Sequence, residues 1–235
     1  NGCPSNHNII EQNTFKFATD ASFSLTFSTN NTFSDNSAYN STYGFSLGYS
    51  SYSKMLNNKV VGNEIGVSIP HGYDWLFRAN DITDNTGVGT ELISDGQIHF
   101  PASQYPCLDL IAQTKSSLYN ITFNIFENNG PLSLLLVNTS QSIVYNNFFS
   151  NDKVSNGDVL ASSDQLSYQG GTRFYHALIE GSNIIGGPIV GGNYWSQYLG
   201  ESTNGNGIGN TNVPFDDNGA LAFGDLYPLV PIEKE

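Results

Sequence analysis

Apolar and polar residues follow a short motif that recurs along most of the chain. The motif is Asn-x-apolar-x-x-Asn, and it occurs six times, at residues 8–13, 31–36, 58–63, 80–85, 124–129 and 146–151. Successive copies begin 23, 27, 22, 44 and 22 residues apart, and 44 is twice 22. Chance pairs of Asn are expected in a chain so rich in Asn, but chance does not explain the shared spacing or the apolar third position. The pattern therefore indicates an internal repeat of about 22 residues.

A repeat of this length is typical of one coil of a parallel β-helix. Leucine-rich repeats have a similar length, but the chain has no regular leucine ladder, and helical repeats need about 33 residues or more. Asn suits the turns between short strands because it tolerates left-handed backbone, and stacked Asn amides can hydrogen-bond between coils. The third positions of the motif are then predicted to form one inward stack: Ile10, Phe33, Val60, Ile82, Phe126 and Phe148.

The motif also predicts how the chain is organised. An all-β, single-stranded parallel β-helix of about eight or nine coils is expected over residues 1–192. Stretches without the motif predict loops inserted near residues 86–123 and 152–172. A segment that caps the C-terminal end is expected over residues 193–235, because a solenoid must cover its last coil. The first motif begins at Asn8 with no comparable cap before it, so an open N-terminal end is expected.

Composition narrows the classes of function. Only 12% of residues are charged, whereas 38% are hydrophobic, and the net charge is −13. The eight Lys and Arg residues are scattered singly, so nucleic acid is not expected as a partner. No apolar run approaches the length of a transmembrane segment, and no signal peptide is visible in a chain that begins at Asn1. A surface of amides and hydroxyls favours an exported protein, extracellular or at the cell surface.

Two further features agree with export. Four asparagines begin N-glycosylation sequons, namely Asn30, Asn40, Asn120 and Asn138. The two cysteines, Cys3 and Cys107, could form a disulfide in an oxidising compartment. In a plain solenoid they lie roughly 20 Å apart at about 4.8 Å per coil, whereas a disulfide needs Cα atoms within about 7 Å. Pairing therefore depends on whether the proline-containing segment 99–107 folds back across the coils, and both outcomes stay open.

The C-terminal segment resembles that of a known family. Residues 192–196 read Gly-Asn-Tyr-Trp-Ser, residues 207–209 read Gly-Ile-Gly, and residues 227–229 read Tyr-Pro-Leu. This ending is similar to that of NosD-like proteins, which are right-handed parallel β-helices also described as carbohydrate-binding and sugar-hydrolase repeats. The resemblance is specific at the C-terminus and depends on the Asn repeat elsewhere. It implies a right-handed helix for this chain.

The family ending is rich in aspartates, many of which are asparagines in this chain. The resemblance implies a candidate Ca²⁺ site, whose ligands here would be Glu201, Asn204, Asn206, Asn210, Asp216, Asp217 and Asp225. Calcium affinity falls as charged carboxylates are lost. No cofactor is therefore required, Ca²⁺ is a candidate ligand, and a Gly–Asn turn that closes the solenoid is the preferred interpretation.

One cluster of residues is a candidate for catalysis. Polysaccharide-cleaving β-helices use clustered carboxylates or an Arg or Lys base. Arg78 with Asp81 and Asp84 is the place where a base and two carboxylates come together in the sequence. Both aspartates flank Ile82, which is predicted to point inward, so solvated turn residues are the simpler interpretation. We assign no catalytic residue; if the chain is an enzyme, it is expected to be a polysaccharide lyase or glycoside hydrolase.

The family takes its name from a protein of copper-site maturation, which raises the question of copper. Copper sites need clustered His, Met or Cys side chains. The candidates in this sequence, His7, His71, His99, His176 and Met55, lie far apart. A metal-delivery role is therefore the least favoured of the functions considered.

Two other functions remain. The leading hypothesis is an exported structural protein that assembles through its open N-terminal end, into a filament or surface layer, or contacts neighbouring surface proteins. The alternative is a carbohydrate-binding or polysaccharide-cleaving module that binds glycans. Its sugar platforms would be Tyr49, Tyr52, Tyr73 and Trp75.

Overall fold

The computed structural model describes residues 5–94, 117–151, 160–163 and 171–232. Within these ranges the chain forms strands, bridges and turns, with no helix. The strands, numbered β1 to β21 along the chain, build three parallel sheets and one small antiparallel hairpin. The prediction of an all-β parallel β-helix is therefore confirmed.

The strands are distributed evenly among the three sheets. The first sheet has the order β1 (Ile9–Glu11), β4 (Thr32–Ser34), β7 (Ser51–Leu56), β10 (Tyr73–Arg78), β13 (Ser117–Thr122) and β16 (Ile143–Tyr145). The second has the order β2 (Thr14–Lys16), β5 (Ser37–Tyr39), β8 (Lys59–Val61), β11 (Asp81–Thr83), β14 (Ile125–Glu127), β17 (Phe148–Ser150) and β21 (Tyr194–Trp195). The third has the order β3 (Ala21–Ser24), β6 (Tyr43–Ser46), β9 (Ile65–Pro70), β12 (Thr90–Ile93), β15 (Leu134–Val137) and β18 (Ala161–Ser163). The hairpin joins β19 (Ile179–Glu180) to β20 (Ile189–Val190).

Each coil contributes one strand to each sheet in turn. Val60 in β8 therefore lies between Ala38 in β5 and Ile82 in β11, and each of these steps spans 22 residues of sequence. The next step, from Ile82 to Phe126, spans 44 residues because one coil is twice as long in sequence. The 22-residue period of the sequence is thus the length of an ordinary coil.

The predicted number of coils is wrong. The sheets contain six, seven and six strands rather than eight or nine. Eight or nine coils would follow only if every coil had about 22 residues, and the two longest intervals each have about twice that length. Asn80 hydrogen-bonds directly to Asn124, and Asn147 hydrogen-bonds directly to Asn193. Each long interval therefore spans a single coil.

The predicted single inward stack is also wrong, because the motif lies in two different phases. The inward residues of the first sheet are Ile10, Phe33, Met55, Phe77, Ile121 and Val144, and those of the second are Phe15, Ala38, Val60, Ile82, Phe126, Phe149 and Trp195. The phase changes at the 27-residue interval, which is one 22-residue coil plus the five residues that separate neighbouring sheets. Phe148 is half-buried and stacks on Tyr194, while Phe149 takes the inward position.

Two residues make each corner between the first and second sheets. The first residue of the pair has left-handed backbone, with φ between 54° and 59°, and the second is an Asn whose side chain enters the coil. The left-handed residues are Gln12, Asp35, Asn57, Ala79, Phe123 and Asn146, and each is followed directly by one of those asparagines. The sharp change of direction at the left-handed residue allows the next side chain to point inward.

The predicted domain limits stay predictions. Residues 95–116, 152–159 and 164–170, which belong to the two predicted loop insertions, lie outside the described residues. Cys3 and Cys107 also lie outside them, so their pairing stays open. None of the residues that the structure describes forms a helix long and apolar enough to cross a membrane.

Candidate functional site

Seven asparagines form a continuous hydrogen-bonded column, called here the amide ladder: Asn13, Asn36, Asn58, Asn80, Asn124, Asn147 and Asn193. Asn58 shows the pattern. Its backbone N–H and its Nδ2 both donate to Oδ1 of Asn80, at 2.9 and 3.0 Å, and Nδ2 also donates to the carbonyl of Phe33. Because Oδ1 of Asn58 also accepts from Nδ2 of Asn36, the polar groups of this buried side chain are satisfied inside the coil, as burial requires.

The bonds between ladder members have one direction, because each member donates its backbone N–H and its Nδ2 to Oδ1 of the next Asn toward the C-terminal end. The last member, Asn193, donates its backbone N–H and its Nδ2 to Oδ2 of Asp225, at 2.7 and 3.2 Å. Oδ2 also accepts from Nε1 of Trp195, and Oδ1 accepts from the N–H of Tyr227. An ionised carboxylate accepts hydrogen bonds but donates none, so Asp225 ends the ladder.

Asp217 ends the third sheet in a similar way. Its Oδ2 accepts hydrogen bonds from the N–H groups of Leu160 and Ala161, at 2.6 and 2.9 Å, where β18 begins. Its Oδ1 is buried and has no hydrogen-bond partner among the described residues. Burial raises the pKa of Asp217 to about 6, against the opposing effect of these hydrogen bonds.

Burial also raises the pKa of Asp225 to about 6, although the hydrogen bonds from Trp195, Asn193 and Tyr227 favour the charged form. Burial and the nearby Asp225 charge together raise the pKa of the Tyr198 hydroxyl. The two buried aspartates are functional residues of the cap that the sequence suggested only as metal ligands. No signal in the sequence distinguishes them from surface aspartates, because their role depends on contacts with residues that are 30 to 57 positions away.

The C-terminal end of the helix is closed on all three sheets. Isolated parallel bridges cover the last strands, and they join Ile143 to Arg173, Ser163 to Leu221 and Tyr194 to Leu229. Trp195 stacks on Phe149 at 4.4 Å between ring centroids and contacts Phe215 at 5.2 Å. Among the described residues, the cap therefore bridges the last strand of each sheet and packs against the apolar interior of the last coil.

The N-terminal end is open within the described chain. Strands β1, β2 and β3 have a parallel neighbour on one side only, so each is the edge strand of its sheet. We call these three strands the N-terminal edge. Ile9 in β1 is 72% exposed and Phe15 in β2 is about half exposed, and Phe17, which directly follows β2, is 72% exposed. Exposed apolar edge strands are templates for pairing with another chain.

Polar groups at the N-terminal edge are also without partners. Oδ1 of Asn13, the first member of the amide ladder, accepts no hydrogen bond from the described residues, and Oδ1 of Asn8 is in the same position. A depression of about 310 Å³ lies beside them, and its lining includes Ile10, Phe23 and Phe33. The edge thus presents apolar surface and hydrogen-bond acceptors together.

The seven candidate Ca²⁺ ligands do not come together. Asp217 and Asp225 are buried and bound to backbone N–H groups, whereas Glu201, Asn204 and Asn210 are exposed on a surface loop and Asp216 is exposed elsewhere in the cap. Within the loop, Oδ1 of Asn204 and Oδ1 of Asn206 each lie 3.2 Å from Oγ of Ser202. Oδ1 of Asn210 accepts hydrogen bonds from Thr203. The Oδ1 atoms of these three asparagines therefore accept hydrogen bonds from within the loop.

The members of the candidate catalytic cluster have separate partners. The guanidinium of Arg78 lies over the ring of Phe123, at 5.0 Å from its centroid. Asp81 faces Lys59 instead, at 3.8 Å between Oδ2 and Nζ. Asp84 occupies a corner of the coil with φ of 54°. A catalytic role for these three residues stays a prediction.

The four sequon asparagines differ in accessibility. Asn30 and Asn40 are exposed at corners of the coil, where their φ angles are 57° and 52°. Asn120 is half-buried in the middle of β13, and Asn138 is half-buried and donates to the carbonyl of Ser94. Glycosylation at these positions stays a prediction, with better access at Asn30 and Asn40.

The four candidate sugar platforms do not form one groove. Trp75 is buried in the core, where its Nε1 donates to the carbonyl of Ser50. Tyr49 stacks on His71 at 4.8 Å. Tyr52 and Tyr73 meet edge to face at 5.5 Å on the surface, and Tyr52 is about half exposed.

These observations define the class of the protein: a parallel β-helix with an internal amide ladder, whose described residues close one end and leave the other end open. The family described as periplasmic copper-binding protein (NosD) matches residues 3–99 and 110–200. The chain belongs to this NosD family, and the resemblance noted in its sequence is confirmed, including the right-handed helix that it implies. Comparisons with curated proteins and with solved structures give no match.

The described residues do not fit a copper site. No group of three or more His, Cys, Asp or Glu side chains comes together among them. Met55 is fully buried in the core, His71 is buried against Tyr49, and His176 stacks on Tyr145 at 4.9 Å. His7 is exposed at the other end of the molecule from His176, and His99 lies outside the described residues. The described residues therefore give no basis for a function that uses copper.

Proposed function

We propose that this chain is an exported structural β-helix protein, extracellular or at the cell surface, that self-associates through its N-terminal edge. The observation that supports this proposal best is the contrast between the two ends. One end has three edge strands, each paired on one side only, with Ile9, Phe15 and Phe17 exposed, and the other end has a closed cap. Membership of a family described as periplasmic supports export. Neither a metal nor a catalytic residue is needed for this role.

The closed C-terminal end restricts the form of the assembly. A filament requires two complementary surfaces on each subunit, whereas a single self-complementary surface gives a closed dimer with two-fold symmetry. The cap bridges of Arg173, Leu221 and Leu229 occupy the C-terminal end. The proposed product is therefore a dimer joined through its two N-terminal edges rather than a filament or a surface layer.

Such a dimer would satisfy the groups that the N-terminal edge leaves open. Edge strands present alternating N–H and C=O groups that pair with an antiparallel strand of the partner. Oδ1 of Asn8 and of Asn13 would accept hydrogen bonds from the partner, and the two copies of Ile9 and Phe17 would be removed from water. Burial of the apolar surface supplies the favourable free energy of association.

Sedimentation velocity over a range of protein concentrations tests this proposal. The wild-type chain is expected to sediment with twice the mass of the 25.5 kDa monomer. The double variant Ile9→Asp/Phe17→Asp should be monomeric, because four carboxylates would face one another across the two-fold axis. Both side chains are mostly exposed in the monomer, so the variant should fold normally.

Leu199→Asp is the matched control. Leu199 is 87% exposed, but it lies in the C-terminal segment and not at the N-terminal edge. This variant should remain dimeric. A wild-type chain that stays monomeric at every concentration, or a dimer that Leu199→Asp disrupts as strongly as the double variant, would overturn the proposal.

A carbohydrate-binding or polysaccharide-cleaving module is less well supported. Of the four candidate platforms, only Tyr52 offers a largely free ring, and the perpendicular ring of Tyr73 limits stacking on one side. The ring contact of Arg78 and the ion pair of Asp81 with Lys59 give these two residues partners other than a substrate, which weakens the case for cleavage.

A further inference from the structure

A cleft lies where the last coil of the first sheet meets the C-terminal cap. Its volume is about 430 Å³, and it is lined by Gln141, Gly171, Arg173, Tyr175 and Phe223. We call it the Arg173 cleft. It lies at the opposite end of the β-helix from the N-terminal edge, so it is independent of the proposed dimer.

The backbone of Arg173 is fixed as the last rung of the first sheet. Its N–H donates to the carbonyl of Ser142 at 2.9 Å, and its carbonyl accepts from the N–H of Val144 at 2.8 Å. The side chain is exposed at the cleft. The backbone is therefore held in place while the guanidinium remains free to meet a ligand.

Among the described residues, no carboxylate lies within 4.0 Å of Arg173, and the ion pair in this part of the chain joins Lys59 to Asp81. Arg78 lies over Phe123, and Lys16 lies over Tyr39. Arg173 has no such ring contact within the described ranges. A cation without a counter-charge, in a chain of net charge −13, is poised to bind an anion.

Aromatic rings form the walls of the cleft. Phe223, from the cap, is 52% exposed. Tyr175 is held by an edge-to-face contact with Tyr227, at 5.6 Å between centroids and 88° between planes. Gln141 adds an amide at a corner of the coil, where its φ is 53°. The described part of the lining thus combines a cation, an amide and two rings, which is the composition of a small-ligand site.

From this lining we infer that the Arg173 cleft binds a carboxylate carried on a six-membered ring. The guanidinium of Arg173 meets the carboxylate in a two-pronged hydrogen-bonded pair, which suits its planar fork of donors. The ring of the ligand lies between Tyr175 and Phe223, which remove its apolar face from water. An exposed ion pair alone contributes little, so both contacts are needed for measurable affinity.

Isothermal titration of the full-length chain tests this inference with three probes: benzoate, galacturonate and benzyl alcohol. At least one of the two carboxylates should bind saturably. Benzyl alcohol, which keeps the ring and lacks the charge, should bind at least about tenfold more weakly than that carboxylate. Tighter binding of benzoate identifies an aromatic acid as the ligand type, and tighter binding of galacturonate identifies an acidic sugar. Binding should weaken at high salt, because the ion pair is exposed.

Variants assign the binding to the cleft. Arg173→Gln should weaken carboxylate binding by about tenfold or more, and Phe223→Ala by several-fold. Arg78→Gln is the matched control, since it removes the other arginine of the chain, also exposed on the first sheet, and should leave affinity unchanged. Thermal melting checks that all three variants fold.

The inference is wrong if neither carboxylate saturates, if benzyl alcohol binds as tightly as benzoate and galacturonate, or if Arg78→Gln weakens binding as much as Arg173→Gln. None of these results depends on whether the chain is a monomer or a dimer. Failure here and failure of the proposed dimer are therefore distinguishable.

Discussion

At the scale of single residues, the corners of the coil demand left-handed backbone from residues that rarely adopt it. Ala79 and Phe123 have φ angles of 58° and 59°. For residues other than Gly, Asn and Asp this conformation costs roughly 1 to 2 kcal/mol each. Equivalent corners carry Asn57 and Asn146, which tolerate it. The corners therefore differ in strain although their geometry is the same.

Ala79→Asn is expected to raise the free energy of unfolding by roughly 1 kcal/mol, because Asn adopts left-handed backbone at lower cost than Ala. Ala79 is exposed, so the longer side chain meets no core residue. Urea denaturation of the two proteins measures the difference. Ser34→Asn, in extended backbone on the outer side of β4, serves as the control and should not stabilise. An Ala79→Asn variant no more stable than wild type would show that the corner is unstrained.

At the scale of the elements, the amide ladder joins neighbouring coils more specifically than the strands alone. Oδ1 of Asn80 accepts from the backbone N–H and Nδ2 of Asn58, and its own Nδ2 donates to Asn124 and to the carbonyl of Met55. All of these groups are buried. A buried donor or acceptor that loses its partner costs about 1 to 3 kcal/mol.

Asn80→Ala should therefore lower the free energy of unfolding by about 3 to 5 kcal/mol, since it leaves several buried groups without partners. Asn13→Ala removes the first member of the same ladder. Asn13 is exposed, so water can replace its hydrogen bonds, and the loss should stay below about 1 kcal/mol. Chemical denaturation of both variants measures the contrast. Equal losses at the two positions would mean that the ladder contributes through side-chain volume rather than through hydrogen bonds.

The sequence predicts the repeating element well because each coil must place a left-handed residue and an inward Asn at the same corner. It does not reveal which corner a motif belongs to. The copies at 31–36 and 58–63 lie on different sheets. The sequence does not show this difference, because all corners use the same residue types. Phe148 and Phe149 are equally apolar, and only the pairing of β17 with β14 shows which of them points inward.

At the scale of the whole molecule, the closed end depends on two buried carboxyl groups. Asp217 and Asp225 have pKa values raised to about 6 by burial, whereas an Asp of the unfolded chain titrates near its ordinary value of 3.8. Between these values the folded state binds protons that the unfolded state does not bind. The folded state is therefore favoured as the pH falls through this window.

The free energy of unfolding is expected to rise as the pH is lowered from about 7 to about 4, and the stabilisation should be lost again as the pH rises through about 6. Each group contributes on the order of 1 kcal/mol per pH unit within the window. Urea denaturation at several pH values measures this slope. Asp225→Asn, which cannot ionise, should have a smaller slope than wild type.

Glu201→Gln is the control for that measurement, because Glu201 is exposed on the surface loop. Its slope should match that of wild type. A wild-type slope that Asp225→Asn leaves unchanged would show that other carboxylates govern the pH dependence.

The candidate sites were less predictable than the fold. The sequence indicates a cap and an open end, because the motif starts and stops visibly. It does not separate Asp217 and Asp225 from Glu201 or Asp216, since burial at the cap arises from contacts with distant coils. The sequence also gives no signal that Arg173 lines a cleft, because the cleft forms only where Phe223 of the cap meets the last coil.

The one-way direction of the amide ladder has a consequence for how the chain is made. Asn193 emerges from the ribosome before Asp225, so the growing helix carries donor groups with no acceptor at its leading end until the cap is synthesised. Every new coil meets the same free N–H and Nδ2 donors that the previous coil met. Asp225 acts as a stop signal in this process, because its carboxylate takes the donors and offers none in return. A nascent chain halted before Asp225 would present free donor groups at its C-terminal end, whereas Asp225 accepts their hydrogen bonds in the finished chain.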